Sequence, residues 1–420
     1  MNKQLLISRK ILPNGIRLIQ FPRPQKMTAQ LSVVVEYGSK SDPEKNAGLA
    51  HFVEHMLAGG SKERIKLSRS IEQHGGDVNF FTEYEYTIGT ADILPEKLGA
   101  ASKILSKLFF EDGFEEKKMD LEQKVILNEI ADSSDDPWTV TDDMMRKNLY
   151  KTHPIRNPIL GYHKTVSQLS IDELEEAHKI HYSPQNTILI LSGNFSNKDV
   201  ETIIQDFVEI KKSKTKLAKH NCIEKEESEK LSSKTKTGIC QTYLAMGHRT
   251  VSGNHSDYPA LEIFSTIIGG IGASSRLFRE LREKRALTYG VQSSNCNGLD
   301  FGFFSIYCAI KSSKLKETTD LILKEITALK NKKVSEDELL KGKNMIKGDL
   351  FRGIDDSLTL HSRLADMEIL FGDENALPKY LENIKLVSVD DLIEVANKHF
   401  GDSNFSKVVL TPEQKDTDVS

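Results

Sequence analysis

Strand and helix patterns alternate along this chain, with short apolar runs between longer segments whose apolar residues recur at helical spacing. In the first half, residues 16–21 and 188–193 are typical of strands, and residues 115–130 have the pattern of a helix with one broad buried face. In the second half the pattern predicts strands over 241–246, 301–310 and 408–410, and helices over 258–268 and 315–329. Because the order of strands and helices recurs, we predict a duplicated α+β domain.

Residues 211–236 interrupt this pattern, because they are rich in Lys, Ser, Thr and Glu and poor in large apolar side chains. Such a composition is typical of an exposed linker. A chain of 420 residues is too long for one ordinary domain and suits two of about 200 residues. We therefore predict an N-terminal domain over 1–210, a linker over 211–236 and a C-terminal domain over 237–420.

The segment His51-Phe-Val-Glu-His55 carries the most specific chemistry in the chain. On a helix, His51 and His55 share one face, and Glu54 projects to the same side. Two imidazoles on adjacent turns can chelate one Zn²⁺, and a carboxylate beside them can take a proton from a water molecule. This order of residues is the inverted zincin motif and predicts a hydrolytic site. The alternative is a helix with two unrelated histidines, and it is weakened by a total of only 12 histidines in the chain.

Two histidines leave a catalytic zinc one protein ligand short, since such sites usually have three protein ligands and one open position. The helical segment 115–130 offers Glu122 and Glu129, which are seven residues apart and therefore lie on one face. One of them can bind the metal while the other supports a histidine. The alternative for either glutamate alone is a solvated helix face.

With these motifs the chain resembles the pitrilysin and mitochondrial processing peptidase family of inverted-motif zinc metallopeptidases, in its short two-domain type. Family members carry the His-x-x-Glu-His motif and, well downstream, two glutamates seven residues apart, of which the second is the third zinc ligand. Glu129 lies 74 residues after His55. The resemblance therefore implies that His51, His55 and Glu129 bind one Zn²⁺ per chain and that Glu122 supports a histidine.

The resemblance extends over nearly the whole chain, with short matching segments at 12–15, 48–50, 75–79, 158–161, 182–186, 274–278 and 281–285. Two departures bear on substrate preference. Relatives often have Phe-Lys-Gly-Thr where this chain has Ala58-Gly59-Gly60-Ser61, and a small residue where this chain has Phe80. Neither departure touches a predicted ligand.

The resemblance implies a zinc endopeptidase with Glu54 as general base. Its implied fold is two homologous α/β sandwiches, each a mixed sheet with helices packed on it, which together form half of a clamshell. The substrate would be an unfolded oligopeptide or a leader-like or presequence-like segment held in an enclosed chamber. It would add as an extra strand near residues 78–87. The substrate-binding residues implied in this way are Asn79, Phe80, Phe81 and Thr82.

The second half has no His-x-x-Glu-His motif and offers instead Arg282 and Tyr289, seven residues apart. The resemblance implies that this pair holds the substrate backbone or stabilises the oxyanion. Larger relatives fuse four such domains in one chain, so a closed chamber here implies a dimer. The simplest dimer is a homodimer in which the pair serves the partner's zinc, and a heterodimer with a homologous chain is the alternative.

Composition and charge limit the classes of protein to which this chain can belong. The apolar fraction of 38%, the charged fraction of 28% and the net charge of −4 are typical of a globular protein without a nucleic-acid partner. No apolar run predicts a membrane span, and the first strand begins too early to leave room for a targeting peptide. The four cysteines show no Cys-x-x-Cys pairing and are interpreted as reduced thiols, which adds to the prediction of a prokaryotic cytoplasmic protein. The rival functional prediction is a non-catalytic, substrate-binding or structural subunit of a processing-peptidase-like complex.

Overall fold

The computed structural model describes residues 6–211, 222–270, 272–401 and 404–413, which form two compact units. Within the described residues, the first unit comprises 6–132, 157–211 and 353–378, and the second comprises 133–156, 222–352 and 379–413. Each unit contains one mixed sheet with helices packed against it.

The strands are β1 Ser8–Ile11, β2 Arg17–Pro22, β3 Ala29–Val35, β4 Asp77–Thr82, β5 Thr87–Ile93, β6 Thr187–Gly193, β7 Leu231–Lys236, β8 Thr242–Arg249, β9 Thr288–Asn297, β10 Gly302–Ile310 and β11 Ser406–Pro412. The helices are α1 Leu49–Gly59, α2 Lys62–Gln73, α3 Leu98–Phe110, α4 Glu116–Asp135, α5 Pro137–Leu149, α6 His163–Val166, α7 Ile171–His181, α8 Asn197–Val208, α9 Tyr258–Gly269, α10 Leu315–Asn331, α11 Glu336–Asp355, α12 Ser357–Phe371, α13 Ala376–Leu386 and α14 Val389–Phe400.

The two sheets repeat one topology. The first has the order β1-β2-β6-β3-β5-β4, and the second has the order β7-β11-β8-β10-β9. In each sheet one pair is parallel, β2 with β6 and β7 with β11, and the following pairs are antiparallel. The second sheet therefore matches the first strand for strand once β1 is set aside. The predicted α+β fold with a duplicated sandwich is confirmed.

Strand β7 occupies the last part of the segment that the sequence predicts as a linker, whose residues 212–221 lie outside the described residues. β7 is an edge strand paired only with β11 in this sheet, and most of its side chains are exposed. Edge strands often carry polar and charged side chains. For this reason the sequence of β7 has the polar pattern that is also typical of a loop. The second copy of the fold thus begins with β7, which corresponds to β2 of the first.

Two helices lie in the opposite unit from the one that the predicted boundaries assign to them. α5 packs on β8 and β11 in the second unit, and α12 packs on β3 and β6 in the first. These contacts join segments that are far apart in the chain. Local apolar patterns carry no information about such pairings, so boundaries drawn at 1–210 and 237–420 differ from the observed units.

Helix α1 is almost entirely buried in the first unit. Phe52, Val53, Met56 and Leu57 have no exposed surface, and the helix contacts α2, α7 and β4. Full burial of each large apolar side chain contributes about 1.5–3 kcal/mol, so α1 is firmly held. Among the described residues no helix combines the length and the apolar character that crossing a membrane requires.

Helix α12 docks on the first sheet through a buried polar network centred on His361, which has no exposed surface. Its Nδ1 lies 2.6 Å from the Ser32 hydroxyl and its Nε2 lies 2.7 Å from the Ser192 hydroxyl. Ser32 in turn shares a 2.7 Å hydrogen bond with Thr90. Burial lowers the pKa of His361 to about 3, and the charge of Arg23 acts in the same direction. The network therefore holds a neutral imidazole.

Replacing His361 by Gln should make the protein's stability less sensitive to acid. The ordinary pKa of histidine, which applies to the unfolded chain, is 6.5, and the pKa of His361 in the folded protein is about 3. At a pH between these two values, only the unfolded chain binds the proton. Wild-type stability should fall below a pH of about 6.5, by up to about 1.4 kcal/mol per pH unit from this group. The variant lacks this contribution.

Thermal unfolding midpoints measured between about pH 7.5 and about pH 4.5 test this linkage. The control is His163→Gln at an exposed position, which should keep the wild-type slope. A His361→Gln midpoint that falls as steeply as that of the wild type would contradict the assignment of a neutral His361.

Candidate metal centre

Helices α1 and α4 bring the three predicted ligands together. His51 and His55 lie on successive turns of α1, with ring centroids 4.7 Å apart. Glu129 of α4 places its Oε2 3.8 Å from His51 Nε2 and 3.5 Å from His55 Nε2. One ligand atom from each of the three residues lies within 4.8 Å of the other two.

This donor set fits zinc. Two imidazole nitrogens and one carboxylate oxygen are a common set for catalytic zinc and leave a fourth position open. Tetrahedral zinc with bonds of about 2.05 Å places neighbouring donors about 3.3 Å apart. The observed separations of Glu129 from the two imidazoles are slightly longer, so small side-chain adjustments suffice to hold the ion.

Glu54 lies beside the three ligands. Its Oε2 is 3.8 Å from His51 Nε2 and accepts a 3.4 Å hydrogen bond from the Thr82 hydroxyl at the end of β4. Glu54 is 7% exposed, and this burial raises its pKa to about 7 against the opposing effects of His55 and Thr82. A carboxyl group that titrates near neutrality can both accept and release a proton.

Glu122 fixes the orientation of His55. The Nδ1 of His55 donates to Glu122 Oε2 at 3.1 Å, which leaves Nε2 available on the side of Glu129. Burial lowers the pKa of His55, but the hydrogen bond to Glu122 and the charges of Glu54 and Glu129 outweigh it and raise the pKa overall. Carboxylates that favour a cationic imidazole also favour a divalent metal ion at the same place.

His51 has a different environment. Its Nδ1 is buried and has no hydrogen-bond partner in the part of the chain that the structure describes. Burial lowers the pKa of His51 to about 3, and the charge of His55 acts in the same direction. The ring is therefore neutral, which is the form that binds a metal.

Gly59 provides the space that Glu122 occupies. A side chain at position 59 would place its Cβ 2.3 Å from Glu122 Oε1 and 2.7 Å from Glu122 Cδ. Gly59 belongs to one of the two departures from the usual family pattern. Sequence reasoning missed its role, because the approach of Glu122 to the end of α1 depends on how α4 packs.

The predicted substrate-binding residues lie on β4, the edge strand of the first sheet beside β5. Asn79 is exposed, and Phe81 is half-buried. The Phe80 ring packs 6.0 Å from the Phe109 ring and lies over Gly89, where a Cβ would approach it to 2.7 Å. Phe80 therefore packs against the interior, and Thr82 contacts Glu54 directly.

Arg282 and Tyr289 lie together in the second unit. The Arg282 guanidinium carbon is 4.6 Å from the Tyr289 ring centroid and 4.7 Å from that of Phe278, which sequence reasoning did not identify. Arg282 belongs to a π-helical segment, Phe278–Glu283, and the following turn gives Ala286 a φ of 49°. Tyr289 is 84% exposed, so the stacked pair is open to a ligand.

Comparison with known proteins gives matches over most of the chain. A sequence model of the insulinase family (peptidase family M16) matches residues 19–162. A model of the peptidase M16 inactive domain matches residues 168–346. The first match contains His51, Glu54, His55 and Glu129, and the second contains Arg282.

Individual proteins resemble the chain over nearly its full length. The uncharacterized zinc protease YmxG of Bacillus subtilis is 28% identical over 412 residues, covering 97% of this chain and 98% of YmxG. A protease from Helicobacter pylori is similar in structure, with a TM-score of 0.88 at 21% identity over 97% of this chain and 99% of that one. A chain of Complex III2 from Candida albicans gives a TM-score of 0.82 at 17% identity over 96% and 95% of the two chains.

Replacing Gly59 by Ala should weaken metal binding, because the new methyl group displaces the Glu122 carboxylate from His55. Loss of a carboxylate that supports a metal-binding histidine typically costs about 10-fold to 100-fold in metal affinity. Since Glu122 can move and re-form part of this contact, we expect a value near about 10-fold. Competition between the protein and a chromophoric chelator for Zn²⁺ measures the change.

The matched control is Gly99→Ala on α3. A Cβ at position 99 meets only Thr202 Cγ2 at 3.4 Å, an ordinary contact. This variant gains the same helix propensity and should keep wild-type zinc affinity. Equal affinities of the Gly59→Ala variant and the wild type would show that Glu122 does not depend on the gap at Gly59.

Proposed function

The chain belongs to the insulinase family, peptidase family M16, and from this premise we propose that it is a zinc endopeptidase. Its substrates would be unfolded oligopeptides or leader-like or presequence-like segments, cleaved in an enclosed chamber. The observation that carries the proposal is the convergence of His51, His55 and Glu129 with the buried Glu54 beside them.

Under this proposal, His51, His55 and Glu129 hold one Zn²⁺ per chain, and Glu122 keeps His55 in its ligating orientation. Zinc bound there would lower the pKa of a water molecule and polarise the carbonyl of the scissile peptide bond. The neutral His51 supplies its nitrogen donor without losing a proton. His55, whose pKa is raised by its carboxylate neighbours, would release the proton of its Nε2 as the metal binds.

Glu54 moves the protons. Its Oε2 would accept the proton of the attacking water and deliver it to the nitrogen of the leaving amine. Burial supports both roles, because it raises the pKa of the carboxyl to about 7. The hydrogen bond from Thr82 holds the carboxylate on the side of the ligands.

The substrate would add to β4 as an additional strand. β4 is an edge strand, so the face of its backbone away from β5 can pair with a peptide. Asn79, Phe81 and Thr82 would line this path, while Phe80 would act by supporting the strand from beneath. Backbone pairing tolerates many sequences, so selectivity would come from side-chain pockets and chamber size.

Arg282 and Tyr289 would bind the substrate backbone or stabilise the oxyanion. Stacking on two aromatic rings leaves the edge of the Arg282 guanidinium available for hydrogen bonds. Because a closed chamber needs four such domains and this chain has two, the active form would be a dimer, most simply a homodimer.

A non-catalytic, substrate-binding or structural role is the second candidate. The match of residues 168–346 to a domain described as inactive favours it, as does the structural similarity to a chain of Complex III2. The retention of His51, Glu54, His55 and Glu129 in one cluster favours the peptidase. Zinc content together with peptide cleavage separates the two.

Replacing Glu54 by Gln should retain zinc and remove turnover. The carboxamide cannot accept the water proton, so kcat should fall by about 10³-fold, within the usual range for loss of a general base. Purified wild type and variant would be compared on an internally quenched, unstructured peptide pool, with zinc content measured on the same samples and product masses read out. A zinc-loaded variant that cleaves at a rate near that of the wild type would exclude Glu54 as the base.

A mixture of two inactive variants should recover activity if Arg282 serves the zinc of the partner chain. Glu54→Gln and Arg282→Ala, refolded together, would form heterodimers with one complete site each, giving about a quarter of the wild-type activity for random pairing. The control mixture combines Glu54→Gln with His55→Ala, which damage the same site and cannot complement in a dimer. No recovery in the first mixture would assign Arg282 to the zinc of its own chain.

A further inference from the structure

The N-terminus of α1 lacks a cap from its own N-cap residue, Gly48. Gly48 has a φ of +98°, and a Cβ there would lie 2.7 Å from the Leu160 carbonyl oxygen. Gly161 packs against the same turn, and a Cβ at position 161 would clash with the Ala47 carbonyl oxygen. The close approach of these two segments excludes the serine, threonine or aspartate that usually caps a helix.

Asp42 supplies the missing cap from outside the helix. Its Oδ2 accepts a 3.0 Å hydrogen bond from the Gly48 amide, and its Oδ1 accepts a 3.0 Å bond from the Ala50 amide. The Tyr37 hydroxyl donates to Oδ1 at 3.0 Å and fixes the carboxyl group. Asp42 is 8% exposed, so water cannot easily replace it. A carboxylate at this end also interacts favourably with the helix dipole.

The turn that Asp42 holds contains a metal ligand. α1 begins at Leu49, which makes His51 its third residue, directly after the amide of Ala50. If this first turn opened, His51 would leave the position from which its Nε2 faces Glu129. Glu54 and His55 follow one turn later and are held by intrahelical bonds as well.

We propose that Asp42 is a positioning residue of the metal centre, which sets zinc affinity by holding the first turn of α1 and therefore His51. The inference rests on the proposed zinc site, but it does not require peptidase activity. An ordinary structural cap would stabilise the first unit without altering zinc affinity. Ser196 is such a cap, since it accepts from the Asp199 amide at the start of α8, a helix without a predicted ligand.

The test compares zinc affinity in Asp42→Asn and Ser196→Ala, by competition with a chromophoric chelator. Asparagine keeps the size of the side chain but has one acceptor oxygen and no charge. One of the two hydrogen bonds from the backbone amides of Gly48 and Ala50 is therefore lost. We expect Asp42→Asn to bind Zn²⁺ about 10-fold more weakly, the usual cost of losing a helix cap expressed as an affinity. Ser196→Ala should show a comparable fall in thermal midpoint and unchanged zinc affinity.

Hydrogen exchange on the wild type provides a second measurement that needs no variant to fold. If the first turn must be closed to bind metal, then Zn²⁺ should slow exchange of the Gly48 and Ala50 amides. The amide of Asp199 at the cap of α8 should be unaffected by zinc. Slowing confined to the start of α1 supports the proposal.

The outcomes separate this inference from the proposed function. Suppose that the wild type binds Zn²⁺. If Asp42→Asn then has the same zinc affinity, or if zinc leaves hydrogen exchange at the Gly48 and Ala50 amides unchanged, the role of Asp42 alone is overturned. A wild type that binds no Zn²⁺ would overturn the proposed zinc site, and the inference with it. Weaker zinc binding in both Asp42→Asn and Ser196→Ala would show that zinc affinity follows the overall stability of the protein. That result would also overturn the proposed role of Asp42.

Discussion

The central constraint in this protein is that one buried helix must carry both core residues and a charged centre. The apolar face of α1 is fixed by Phe52, Val53 and Met56, none of which is exposed. The other face carries His51, Glu54 and His55 and meets Glu122 and Glu129 of α4, so three carboxylates surround two imidazoles. Glu54 is buried, and Glu122 and Glu129 are half-buried. Carboxylates this close together repel one another unless cations or hydrogen bonds compensate them. The proposed dication, at the point where the ligand atoms converge, would compensate all three at once.

Much of this centre could be predicted because helix geometry is encoded in short spacings. His51 and His55 are four residues apart and Glu122 and Glu129 are seven apart, so each pair had to share a helix face once the helices were recognised. The roles of Asp42 and Gly59 could not be predicted in this way. Both depend on segments distant in sequence approaching α1, such as Glu122 at Gly59 and Leu160 at Gly48. The same limit applied to the fold, where the positions of α5 and α12 depend on distant contacts.

The duplicated topology shows how one framework supports two different surfaces. In the first unit α1 packs beside the edge strand β4, and in the second α9 packs beside the edge strand β9. α9 lacks a His-x-x-Glu-His motif, and its buried residues are mostly apolar, among them Phe264 and Ile268. The second unit instead presents polar chemistry at the π-helical segment before β9, where Arg282 is stacked between two rings. π-helical turns are uncommon and frequently occur at functional sites, which fits a role for this segment in binding a ligand.

The contact between Thr82 and Glu54 links the edge strand to the proposed base. Thr82 is the last residue of β4, and its hydroxyl reaches the Glu54 carboxylate. A peptide paired along β4 would lie extended beside Glu54, held by hydrogen bonds between the two backbones. Pairing of this kind requires an extended chain, which a folded protein does not offer. A preference for unfolded peptides would therefore follow from the arrangement of β4, Thr82 and Glu54 itself, before any side-chain pocket contributes.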